Sequence, residues 1–310
     1  MDIRNALKQG IARVRAAHVA SDTLAAELLL LHVLQRDRTW LYAHPEEPLT
    51  EEEAQRFSQL IERRAAGEPV QHLTGKQEFW GLEFEVTPDV LIPRPETEHV
   101  VEVALDRLAL RELGAGRPNK SEGAGLLIAD IGTGSCCIAI ALATELPQAR
   151  FVATDISAEA LAVAKRNAGR HRVAERIRFL QCHLLEGMHA TAAEKNQSPV
   201  TSHQSPSFDL IVSNPPYVGR CEAETLTREV REHEPELALY GGEEGYEFYA
   251  GLVDEAARHL KPGGLLVLEL GHNSLPAVRP LLDENHWTNL AVTKDLAGVD
   301  RILAAESLSG

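Results

Sequence analysis

Positive charge is what this chain most conspicuously lacks. Its 310 residues hold 31 lysines and arginines against 46 aspartates and glutamates, a formal charge of −15. Phosphate contacts supply most of the affinity for duplex DNA or long RNA, so this balance argues against a broad nucleic-acid surface and leaves room only for a local basic patch. Cysteine is scarce as well. Cys136 and Cys137 are adjacent, Cys182 and Cys221 stand alone, and no CxxC pair occurs, so neither a disulfide framework nor a zinc site is expected. Long hydrophobic runs are missing too: the stretch from Leu24 to Leu34 is interrupted by Glu27 and His32 and is too short to cross a bilayer. The opening MDIRNALKQGIARVR has no apolar segment followed by a cleavage site, so no secretory leader is expected. These absences lead to the expectation of a cytoplasmic protein without membrane association. No internal repeat is visible. What is present, 44% hydrophobic and 25% charged residues over a length suited to about two domains, is the make-up of an ordinary folded protein.

The first 70 residues read as helices. Leu24, Leu28, Leu31 and Leu34 recur at helical spacing, with Ser21-Asp22-Thr23 offering capping oxygens before them. Thr50 is placed to cap EEEAQRFSQLIERRAAG, whose acids lie in the first turn and whose Arg63-Arg64 lie near the last. Few catalytic groups occur here, which fits a packing and partner-recognition module. From Pro69 onward the pattern changes. GKQEFWGLEFEVTPDVLIPRPETE carries aromatic and β-branched residues around Gly81 and predicts a hairpin linker over 71–90.

Beyond it, over 91–310, strand-like and helix-like segments alternate. LLIADIG, FVATDIS, IRFLQCHLL, FDLIVSN and LLVLELG are short runs apolar enough to be buried on both faces, which predicts an α/β domain built on a parallel sheet. TNLAVTKDLAGVDRILAAE at the tail suggests an edge hairpin. Two polar stretches, GAGRPNKSEGAG before the first strand and GMHATAAEKNQSPVTSHQSPS between the third and fourth, read as a linker or surface loop and a mobile insertion.

Two motifs carry chemistry. Asp130-Ile131-Gly132-Thr133-Gly134-Ser135-Cys136 joins the first strand to a helix, so its glycines permit a sharp turn and its free N–H groups face any ligand there. Asp155 ends the second strand, where a carboxylate can hold both hydroxyls of a ribose or simply cap the next helix. The turn lacks the third glycine of a dinucleotide site, position 137 being cysteine, which favours S-adenosylmethionine over a dinucleotide. The second motif, Asn214-Pro215-Pro216-Tyr217, ends the apolar strand FDLIVS. Two prolines without N–H groups stiffen a loop whose exposed backbone groups are carbonyls. The Asn214 side-chain oxygen and the Pro215 carbonyl are suited to accept both hydrogens of one planar NH2 group, with Tyr217 against its plane. Such a grip favours pyramidalisation and stabilises charge developing on nitrogen as it attacks a methyl group.

With these motifs in order, the chain resembles the release factor glutamine methyltransferases, the HemK/PrmC-type N5-glutamine methyltransferases. The resemblance covers nearly its whole length. It takes in residues 67–98, GTGS, Asp155, NPPY, EPELALYGGEEGYEFY, LKPGGLLVLELG and DLAGVDRI. It implies a Rossmann-like S-adenosylmethionine-dependent methyltransferase sheet with a small helical amino-terminal domain joined by a β-hairpin. The implied activity is methyl transfer from S-adenosyl-L-methionine to the side-chain nitrogen of the glutamine in the Gly-Gly-Gln loop of class 1 peptide chain release factors. Gly132, Thr133, Gly134, Ser135 and Cys136 would line the cofactor, together with Asp155, Asn214 and, against adenine, His183 and Leu184. Asn214, Pro215, Pro216 and Tyr217 would hold the substrate glutamine, and Asn214, Pro215 and Tyr217 would carry the chemistry. Phe79, Trp80, Ile92, Pro93 and Arg94 would lie near the cofactor and the domain junction, although Arg94 could equally be an ion-pair partner. Two positions depart from the family pattern: Cys136 stands where glycine is usual, and His183 where an acid is usual. Because NPPY also serves enzymes that methylate exocyclic amines of nucleic acids, that activity is the alternative. A catalytically silent nucleoside-binding protein is a third reading.

Overall fold

The computed structural model describes residues 1–114, 125–186 and 207–308; the two polar stretches singled out above lie almost wholly outside them. The chain divides into two compact units. The smaller comprises residues 1–76, 86–88 and 226–234, and the larger the remainder.

Five helices build most of the smaller unit: α1 (Ile3–Ala16), α2 (Asp22–Leu34), α3 (Arg38–Ala43), α4 (Glu51–Ala65) and α5 (Val70–Thr74). Their core includes Ile3, Leu29, Leu30, Phe57 and Ile61. Thr50 closes a capping box with Glu53, as the sequence led one to expect. Ser21 stands at the start of α2 with a left-handed backbone (φ 59°) and makes no side-chain capping bond to it. The distant segment 226–234 contributes Glu229, whose carboxylate accepts from the buried Arg64 guanidinium at 2.5 Å. Arg64 also donates to the Ala20 and Glu68 carbonyls, so both terminal nitrogens of the buried guanidinium are engaged.

In the larger unit, β1 (Lys76–Phe79) and β2 (Leu82–Glu85) pair across Trp80 and Gly81. Both turn residues have positive φ, 55° and 70°, as a two-residue hairpin with the natural strand twist requires. Trp80, strained in that conformation, is tied down twice: its backbone N–H donates to Glu98 and its indole N–H to Glu145. Asn167 binds both backbone groups of Glu85 and reaches the Ser135 carbonyl, so residues 77–85 pack as part of this unit.

Among the described residues the main sheet has seven strands. In chain order they are β3 (Leu127–Ile131), β4 (Arg150–Asp155), β5 (Ile177–Gln181), β6 (Phe208–Ser213), β9 (Leu260–Glu269), β10 (Trp287–Lys294) and β11 (Asp300–Ser307); β7 (Val218–Gly219) and β8 (Tyr240–Gly242) form a separate small pair. Across the main sheet the order is β10-β11-β9-β6-β3-β4-β5. The five apolar runs are mutually parallel, and the tail adds two antiparallel strands at one edge. Helices that pack on it include α6 (Glu98–Gly114), α7 (Cys137–Glu145), α8 (Ala158–Arg170), α9 (Arg228–His233) and α10 (Glu236–Leu239) being shorter pieces elsewhere, and α11 (Glu247–His259). Two apolar cores result, one including Ile128, Ile140 and Val267, the other Ile131, Leu252 and Leu268. Strand order reverses between β3 and β6, which opens a crevice beyond their carboxyl ends. There the buried Ser213 hydroxyl donates to the Ile131 carbonyl at 2.7 Å and locks the two strands together.

Candidate active site

Four segments leave the sheet at that edge: the glycine turn after β3, Asp155 at the end of β4, Asn214–Tyr217 after β6, and Glu269–Gly271 after β9. All belong to the larger unit.

In the glycine turn, Gly132 and Gly134 have φ of 70° and 52°, and a Cβ built on either would meet nothing within 4 Å. Conformation requires these glycines, and open space lies beside them. The intervening side chains turn inward. Thr133 is buried, and its hydroxyl donates to Asp130 at 2.6 Å. Ser135 is buried, and its carbonyl accepts from Asn167. Cys136 takes a left-handed conformation (φ 68°), which explains why glycine suits that position, yet its side chain is sunk in the apolar core. Its N–H donates to the Thr133 carbonyl and its carbonyl accepts from Ile140. Cys136 therefore shapes the turn from beneath and does not crowd the open side. Burial pushes the thiols of Cys136 and Cys137 far above neutrality, so neither offers a thiolate nucleophile.

Asp130, to which sequence reasoning gave no role, is the acid at the base of this turn. One of its oxygens accepts from Thr133 and from the Ala139 N–H; the other, Oδ1, is buried with no hydrogen-bond partner among the described residues. Burial raises its pKa to about 6 against those two bonds. Asp155 accepts from the Gly134 N–H through one oxygen and from the Ser157 N–H through the other, both at 2.9 Å. The cap of the next helix is Ser157, whose hydroxyl accepts from the Ala160 N–H; Asp155 instead ties the glycine turn to the start of that segment, and each of its oxygens keeps lone pairs. Burial raises its pKa, opposed by the Ser157, Gly134 and Ile156 N–H groups.

His183 is half exposed, 3.4 Å from Glu186, and meets the Phe248 ring edge-on. Leu184, with φ 51°, is buried in the core that α11 covers. Phe79 and Ile92 are core residues, Pro93 is buried, and the charge of Arg94 bears on the Tyr217 phenol.

The Asn-Pro-Pro-Tyr corner is built around a chain of hydrogen bonds. Asn214 Nδ2 donates to Thr97 Oγ1 at 3.0 Å, Thr97 donates to Glu269 Oε2 at 2.7 Å, and the Tyr217 hydroxyl donates to Glu269 Oε1 at 3.2 Å. Glu269 is fully buried, and burial lifts its pKa to about 7 against the pull of Thr97, Arg301 and Tyr217. Asn214 Oδ1 is buried and has no hydrogen-bond partner among the described residues. An acceptor left in that state costs about 1–3 kcal/mol, a cost recovered when a donor arrives. The corner rests on backbone. A Cβ at Gly241 would sit 2.3 Å from the Pro216 carbonyl oxygen, and one at Gly271 would sit 2.9 Å from the Tyr217 ring. Thr97, Glu269, Gly241 and Gly271 all lie in segments quoted above for their resemblance, but no local rule singled them out; the nearest signal was a carboxylate closing the otherwise apolar run LLVLEL.

Comparison with known proteins agrees with this layout. Residues 5–75 match the PrmC N-terminal domain model and residues 123–295 a methyltransferase domain model. The chain is 41% identical over 303 residues to a release factor glutamine methyltransferase of Koribacter versatilis, covering 98% of each protein. It is 42% identical over 299 residues to that of Chlorobaculum tepidum, covering 96% of this chain and 95% of the other. Among solved structures, the hMettl16 catalytic domain in complex with the MAT2A 3'UTR hairpin 6 aligns with a TM-score of 0.51 and 17% identity over 80% of this chain and 81% of that one, a likeness of fold alone. Among the described residues, no helix is long and apolar enough to cross a membrane.

Proposed function

The chain belongs to the release factor glutamine methyltransferase family, and from that premise we propose that it methylates the N5 nitrogen of the glutamine in the Gly-Gly-Gln motif of class 1 peptide chain release factors. The observation that carries this reading is the buried, unpartnered Asn214 Oδ1 at the carboxyl end of β6. Its chemistry asks for an N–H donor, and a side-chain carboxamide supplies one.

S-adenosyl-L-methionine, when bound, would supply an electrophilic methyl carbon on a sulfonium. The residues fit it. The unpartnered Asp130 Oδ1 suits an ammonium group, the remaining lone pairs of Asp155 suit ribose hydroxyls, and the space beside Gly132 and Gly134 admits a ligand against the backbone. His183 and Leu184 stand as the adenine-side neighbours, joined by Phe248, whose ring meets His183.

Asn214 Oδ1 and the Pro215 carbonyl would then each accept one hydrogen of the glutamine NH2. This withdraws the nitrogen lone pair from amide resonance and stabilises the positive charge that grows as nitrogen attacks. Pro216 and Tyr217 complete the wall. No general base is required before attack, because the alkylated nitrogen sheds its proton readily and Asn214 Oδ1 already holds that hydrogen. Fixing nitrogen and methyl in line supplies much of the acceleration. We assign partner recognition to the helical amino-terminal domain, bounded at 1–70, with 71–90 as the hairpin and 91–310 as the catalytic domain, and we place the reaction in the cytoplasm.

The test is incubation with isotopically labelled S-adenosylmethionine and, in parallel, an intact release factor or total RNA. Mass spectrometry should find one added CH2 on the Gly-Gly-Gln peptide; label in RNA alone would reverse the assignment.

A further inference from the structure

A carboxamide is nearly symmetric in shape but not in polarity. Turned over, Asn214 would aim NH2 at the incoming amide and repel it. Something must therefore set which end faces the substrate, and the hydrogen-bond chain behind Asn214 does so. Ionised Glu269 can only accept. The Thr97 hydroxyl has a single hydrogen and gives it to Glu269 at 2.7 Å, so toward Asn214 it can offer only a lone pair. Asn214 must meet that lone pair with Nδ2, at 3.0 Å, which leaves Oδ1 on the far side without a partner.

We propose that Thr97 and Glu269 are positioning residues that fix the polarity of the Asn214 carboxamide, so that its oxygen and not its nitrogen meets the substrate amide. This rests on the reading of Asn214 as the amide-holding group. Were Glu269 protonated, it could donate to Thr97, freeing the threonine hydrogen to turn toward Asn214 and stabilise the inverted amide.

Several groups face Glu269 and bear on its charge. They are Thr97 and Glu96 from the turn before α6, Tyr217 from the loop after β6, Arg301 from β11 and Cys137 from α7, while the Tyr249 hydroxyl of α11 donates to its backbone carbonyl at 2.8 Å. Burial outweighs the cationic and hydrogen-bonding groups and sets its titration near neutrality, at about 7. The competent polarity accordingly strengthens as pH rises through that value.

Two measurements test the relay. In turnover with a release factor, Thr97→Val should lower kcat about 10- to 100-fold with cofactor affinity retained, while Thr97→Ser, which keeps the hydroxyl, should recover most of the loss. Glu269→Gln should lower kcat and remove the rise of kcat with pH near about 7, a limb that a merely structural role would leave in place. In protein labelled with 15N-asparagine and without substrate, the Asn214 side-chain NH2 resonance should move across the same pH range in the native chain and stay still in Glu269→Gln. A native resonance that ignores pH, or Thr97→Val turning over at the native rate, overturns the relay. A native chain that methylates no glutamine while its Asn214 resonance titrates as described overturns the function and leaves the relay standing.

Discussion

Replacing Glu269 by glutamine should change how the protein's stability varies with pH. In the folded chain the Glu269 carboxyl titrates at about 7 instead of its ordinary 4.5, because it is fully buried at the end of β9. A folded-state value above the unfolded one means that the native protein binds more protons over that window, so stability falls as pH rises through it. The group's contribution is fully present below pH 4.5 and lost once the pH passes about 7. The gap between the two values corresponds to about 3 kcal/mol, or about 6–12 °C in Tm for a unit of this size. Glutamine cannot ionise. The difference in stability between Glu269→Gln and the native chain should therefore move in the variant's favour by about 3 kcal/mol between about pH 4 and about pH 8.5. Asp130, also raised by burial, is present in both proteins and cancels from the difference. Urea melts of both proteins at a series of pH values give the difference directly. Two parallel stability curves would refute the reasoning, whatever their separation.

Other expectations follow from the same geometry. Asn214→Ala should lower kcat about 100- to 1,000-fold while calorimetric binding of S-adenosylhomocysteine stays within about threefold of native; undiminished turnover would remove Asn214 from the chemistry. Asp155→Ala strips a partner from both the Gly134 and Ser157 N–H groups, and should weaken S-adenosylhomocysteine at least about tenfold by calorimetry while costing about 1–3 kcal/mol of stability in urea. Gly241→Ala would put a methyl 2.3 Å from the Pro216 carbonyl oxygen, so turnover should fall far more than cofactor affinity as the corner is displaced. A rate assay paired with calorimetry separates those two effects.

The sequence was most legible where chemistry is local. The five apolar runs became the five parallel strands, and the glycine turn and the Asn-Pro-Pro-Tyr corner emerged at their carboxyl ends, because apolar strands and N–H-poor loops are written in adjacent residues. What stayed hidden depends on packing between segments far apart in the chain. Thr97 and Glu269 lie 172 positions apart and meet because the turn carrying Thr97 leads into α6, which packs against β9. Asp130 was legible only as the residue that opens the glycine motif; Thr133 and Ala139 folding back onto one of its oxygens, with the other left stranded, was not. Cys136 misled for a related reason: a residue in a ligand-facing motif was expected to face the ligand, but a left-handed backbone sent its side chain into the core. Segment 226–234, which joins the amino-terminal helices through Glu229, carried no local sign of that partnership.

Gly241 and Gly271 have a consequence for how such an enzyme can diversify. The wall behind the reactive corner is peptide, not side chain, so its dimensions cannot be retuned by exchanging one amino acid for another. A lineage seeking a new acceptor must leave this wall untouched and rework whatever delivers the amine to it. The same pocket can thus be inherited unaltered while the surfaces that choose its customers drift.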